Sequence, residues 1–150
     1  LWASCKGCLE TDERFAHMTD QEFSTFMQAS VLAGMAIAYT GTSIPHGLSY
    51  TLTYENGVPH GKAVGVFLSG FLKKYGDSTE VEYVVKQLLG FDDIDTFRDY
   101  IRTLFGKLDM SEKLWKKDRD GILANPAKLK NYPFGLTADM LDDYVRYYNA

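Results

Sequence analysis

Residues 44 to 61 state one phrase twice. Ile44-Pro45-His46-Gly47 is followed, after ten residues, by Val58-Pro59-His60-Gly61, so the second histidine stands 14 positions after the first (60 − 46). The chain has three histidines, and this doublet takes two of them. In one unbroken helix such an interval returns to nearly the same face but climbs ~21 Å along the axis. Two imidazoles that share one ion cannot bridge that, because metal–nitrogen bonds are ~2 Å and the side chain adds only a few Å more. If the pair acts together, the helix must stop and the chain must turn back. Glu55-Asn56-Gly57 is a turn signal, and Pro59 suits the first turn of a new helix. A helix from about Pro45 to Tyr54 rises ~15 Å, which the extended residues after it can recover. Both histidines then lie near helix N-termini, where the positive dipole end disfavours protonation and keeps an imidazole neutral, as a metal ligand must be. The competing reading is two helix starts that happen to contain histidine. Two ligands do not complete a site, which needs four groups, one of which can be water or substrate.

The rest of the sequence reads as helix. Thr19-Asp20-Gln21-Glu22 is a capping box that opens a helix to about Tyr39. Its second half is rich in Ala and Gly around Gly34, and small residues let a neighbour approach closely, so this helix is expected to be central. Beyond the doublet a helix continues from Gly61 to Tyr75, with Gly76 stopping it. Further helices are expected over Glu80–Leu89, Thr96–Phe105, Glu112–Leu123 and Ala138–Tyr148, capped by Ser78 or Thr79, Asp92 to Asp95, Ser111 and Thr137. Residues 10 to 18, which include His17, read as a charged connection, and residues 125 to 133 as a loop-rich stretch. No alternating strand pattern of useful length is found. The expected class is an all-α bundle of about seven or eight helices.

Composition narrows the partners. A chain of 150 residues with 45% hydrophobic and 24% charged residues suits one soluble domain with a real core. A formal charge of −4 gives no reason to expect nucleic acid or an anionic membrane. No apolar run reaches the ~20 residues of a membrane span. Cys5 and Cys8 form a Cys-x-x-Cys without the βαβ context of a redox motif, and are expected to be ordinary thiols of a cytoplasmic protein. The start, Leu-Trp-Ala-Ser, lacks methionine and reads as the last turns of a helix, so a fragment is expected.

The doublet, with Ala33-Gly34 before it, Ala63-Val64 after it and Thr137-Ala138-Asp139-Met140 opening the last helix, resembles the iron-containing (group III) alcohol dehydrogenases. That resemblance implies a two-domain plan of the dehydroquinate synthase-like kind. An N-terminal α/β domain binds NAD or NADP, and an all-α C-terminal domain holds one divalent metal, Fe²⁺ first and Zn²⁺ as the alternative. It makes His46 and His60 the later two of four metal ligands. The earlier Asp-x-x-x-His pair and the glycine-rich nucleotide motif do not occur in this sequence. Residues 1–150 are therefore expected to be the C-terminal part of the metal domain, inactive alone. Tyr50 stands where many members carry a further histidine near the nicotinamide. A phenol is a poor base near neutral pH, so Tyr50 is expected to shape the pocket. The implied reaction is hydride transfer between NAD(P) and a small alcohol or aldehyde. A sibling of the glycerol dehydrogenase or dehydroquinate synthase type, or a non-catalytic helical interaction domain, are the alternatives, and a homodimer stays open as its assembly.

Overall fold

A helix buried on more than one side sets the frame of this chain, and it is not the alanine-rich one. A computed structural model describes residues 6–75 and 78–150. Among them are nine α-helices and no strand: α1 (Asp12–Ala16), α2 (Asp20–Thr40), α3 (Ile44–Asn56), α4 (His60–Lys73), α5 (Ser78–Tyr83), α6 (Ile94–Phe105), α7 (Glu112–Leu123), α8 (Pro126–Leu129) and α9 (Ala138–Asn149). A 3₁₀ turn, Lys6–Leu9, precedes them, and a π turn, Val84–Leu88, continues α5. The all-α expectation holds. The count exceeds seven or eight because two short helices, α1 and α8, form where a charged connection and a loop are expected. Thr11 caps the first and Asn125 the second through side-chain oxygens, and such caps stabilise single turns too short to show apolar periodicity.

Helix α4 packs against α3, α6 and α9. Four of its buried residues, Ala63, Val66, Phe67 and Gly70, fall at i, i+3, i+4 and i+7 along one stripe, and Ser69 is buried off that stripe. Facing it, α3 contributes Ile44, Leu48 and Leu52, one turn apart, and α9 contributes Leu141, Tyr144 and Tyr148. Gly70 is the close approach that joins α4 to α9. A Cβ there would stand 2.6 Å from the Tyr144 Cα, so the two backbones touch where only glycine fits. Trp115 anchors α7, its ring stacked on Phe67 at 6.1 Å and its Nε1 donating to Asp142 of α9 at 2.6 Å. Arg119 donates to the same carboxylate at 2.9 Å.

The expectation that α2 is central is overturned. Its capping box forms as read, with Thr19 accepting from the Glu22 amide and Glu22 accepting from that of Thr19. Yet α2 has no buried residue, and a Cβ on Gly34 would meet nothing within 4 Å. Phe23, Met27, Val31 and Met35 are all exposed. Small side chains permit a close neighbour but do not supply one, and the described residues place none there. The stop at Gly76 and Cys5 of the Cys-x-x-Cys lie outside the described residues; Cys8 is buried. Among the described residues no helix is long and apolar enough to cross a membrane.

Candidate metal centre

The break between the histidines falls where the spacing requires it. Helix α3 begins at Ile44 with Pro45 in its first turn and ends at Asn56. Gly57 follows in the left-handed conformation, φ 66° and ψ 17°, which costs glycine nothing and other residues much. The Val58 amide donates to the Leu52 carbonyl at 3.3 Å, closing the helix end. Residues 57–59 then carry the chain back, and α4 opens at His60 directly after Pro59. His46 is the third residue of α3 and His60 the first of α4, so both lie in first turns. Instead of ~21 Å of helix axis between them, their ring centroids are 5.6 Å apart with planes at 65°.

That separation suits joint work. Two imidazoles bound through nitrogen to one tetrahedral ion have centroids roughly 5 to 6 Å apart. His46 is half-buried and His60 exposed. Burial, then His60, then the Lys128 ammonium hold the His46 imidazole below its ordinary range, which favours the neutral ring. Donor chemistry and spacing therefore fit a divalent ion such as Fe²⁺ or Zn²⁺. The pair alone does not make a full ligand set, and among the described residues no group of three or more His, Cys, Asp or Glu could hold a metal ion.

Two neighbours carry no signal in the sequence. Ser49 is fully buried, and its hydroxyl donates to the His46 carbonyl at 2.7 Å. Ser49 Oγ also stands 3.4 Å from His60 Nδ1, and with its own proton on the His46 carbonyl it can serve that nitrogen as an acceptor. Ser49 becomes relevant only once α4 folds back against α3. Lys128, from α8, brings its ammonium to 4.8 Å from the Tyr50 ring centroid. Tyr50 itself stacks on His60, centroids 5.8 Å apart and planes within 13°. His17 stands at the C-terminal cap of α1. A cavity of about 310 Å³ lined by Leu72, Tyr75, Val81, Val85 and Ile94 lies elsewhere and includes neither histidine of the doublet.

Against known proteins, the family description that matches is the Fe-containing alcohol dehydrogenase family, C-terminal, over residues 11–120. No curated protein and no solved structure gives a match.

Proposed function

Because this chain belongs to the Fe-containing alcohol dehydrogenase family, through its C-terminal domain, we propose that it supplies part of the metal site of an NAD(P)-dependent alcohol dehydrogenase or aldehyde reductase. The observation that carries the reading is the 5.6 Å approach of the His46 and His60 rings across the break at Gly57. In this reading His46 and His60 hold a divalent ion, Fe²⁺ or Zn²⁺, through neutral imidazoles. Such an ion supplies Lewis acidity toward an alcohol or carbonyl oxygen, while hydride passes to or from a nicotinamide. Ser49 fixes the ring of His60, and Tyr50 covers one face of that ring as a wall of the substrate pocket. The remaining metal donors and the nucleotide-binding domain are assigned to residues other than these 150.

The test is a pair of substitutions in the complete protein. His46→Ala and His60→Ala are each expected to lose bound metal and turnover together, because removing one ligand weakens an ion held in a site open to substrate. His17→Ala is expected to lose neither. Bound metal is measured by elemental analysis beside the rate of aldehyde reduction. Stoichiometric metal and near-normal rates in both doublet variants would sink the proposal.

A further inference from the structure

We infer that the far end of α4 carries a second binding site, separate from the metal centre, for a small neutral aromatic molecule of one or two rings. The inference does not rest on the dehydrogenase reading. Leu72, on the wall of the site, stands 12 residues past His60 on the same helix (72 − 60), ~18 Å along its axis.

The site is the cavity of about 310 Å³ between α4, α6 and the segment of α5 that runs into the π turn. Helix α4 gives Leu72 and the chain beyond it Tyr75, α5 gives Val81, the π turn Val85, and α6 Ile94. Val85 is fully buried and the other four are half-buried. These walls are held from behind. The Tyr75 ring packs edge-on against Phe134 and Tyr132, centroids 5.1 and 6.0 Å away. Asp93 caps α6, its Oδ1 accepting from the Thr96 amide at 2.7 Å, and so fixes the turn that presents Ile94. Apolar walls offer water few hydrogen bonds, and a ligand that fills the space removes their surface from water. An apolar cavity of ~150 Å³ takes one benzene, so this one has room for a second ring.

The π turn is an independent observation. The Leu89 amide donates to the Val84 carbonyl at 2.9 Å, five residues back. Such a turn is a rare widening of a helix and concentrates at functional sites. Here it sets Val85 into the cavity wall and Lys86 at the mouth.

The charge of the mouth selects the ligand. Its charged side chains are Lys73, Lys86, Glu82 and Asp93, two of each sign, so they sum to zero. Each is also answered within the protein. Lys86 pairs with Glu82, Lys73 stands 3.7 Å from Asp95 and 5.1 Å from the Tyr147 ring centroid, and Asp93 is the cap. An anion or a cation therefore meets no net field there, and affinity comes from apolar area. The Tyr75 ring among branched aliphatic walls suits an aromatic ligand. The Ser78 hydroxyl, also on the lining, can take one polar N–H or O–H.

The test uses the complete protein with isotope-labelled Ile, Leu and Val methyl groups, titrated with indole, indole-3-acetate and tryptamine. Indole is expected to shift the Val81, Val85 and Ile94 signals saturably, and the absence of a saturable shift at these methyls overturns the inference. Indole-3-acetate and tryptamine are expected to bind no more tightly than indole; a preference of about tenfold for either charged form overturns the neutral assignment. Val81→Phe, which fills the cavity from a half-buried position, is expected to weaken indole binding by about tenfold or more. If that variant does not fold, Ser78→Phe at the exposed mouth takes its place. Val85 and Ile94 shifts equal to those of the wild type in the folded variant overturn the inference, since indole then binds elsewhere.

Discussion

Asp118 shows how a single residue departs from what its letter suggests. It sits in a run of lysines and arginines on α7 that reads as a solvated face, yet it is buried, 6% exposed. One oxygen accepts from Thr51 Oγ1 of α3 at 2.7 Å, and Oδ2 has no partner among the described residues. Burial pushes its pKa up to about 6, against the lowering effect of Thr51 and Lys117. A folded value above the unfolded one means that the folded state holds the proton more tightly. The resulting stability is complete below the unfolded pKa of about 4 and is lost as pH rises through about 6. Asp118→Asn removes this titration. Its melting temperature relative to wild type is therefore expected to rise from roughly pH 4.5 to pH 7.5, and parallel melting curves for the two proteins would refute the assignment. The histidines behave in the opposite way: their pairing is visible in the sequence, because Pro-His-Gly stated twice within 18 residues is improbable as accident.

Among the elements, α2 and α4 exchange the places that small residues suggest. Both carry glycine at helix positions, and only contact tells them apart. Gly70 of α4 lies against the backbone of Tyr144, where an added methyl group has no room. Gly70→Ala is expected to destabilise the chain by about 1–3 kcal/mol through overpacking. Gly34 of α2 faces open space, so Gly34→Ala is expected to gain up to about 1 kcal/mol from helix propensity. Denaturant melts of the two variants check both signs, and a loss at Gly34 equal to that at Gly70 would restore α2 to the core. Helix ends were more legible than helix partners. The caps at Thr19, Ser111 and Thr137 all accept backbone amides as their sequences imply, since a cap is a contact within four residues. Burial of a helix face depends on elements far away in the chain.

At the scale of the whole molecule, the 150 residues bring two imidazoles to one place and contain no glycine-rich nucleotide motif. Alone, supplied with NADPH, an aldehyde and Fe²⁺, they are expected to oxidise the cofactor no faster than the metal does without protein; a rate above that blank, followed by cofactor absorbance, would show that the site needs nothing further. The sequence by itself determined the all-helical class, most helix boundaries, and the turn at Gly57 between two histidines, because these follow from periodicity, caps and the backbone freedom of glycine over a few residues. It also singled out His46, His60 and Tyr50, whose rings the structure brings together around His60. Only the tertiary structure decided that α4 and not α2 is central, that Ser49 stands beside His60, that Asp118 is buried, and that Lys128 reaches Tyr50 from α8. Each of these depends on residues distant in sequence meeting side by side, and neither spacing nor composition records which long-range faces pair.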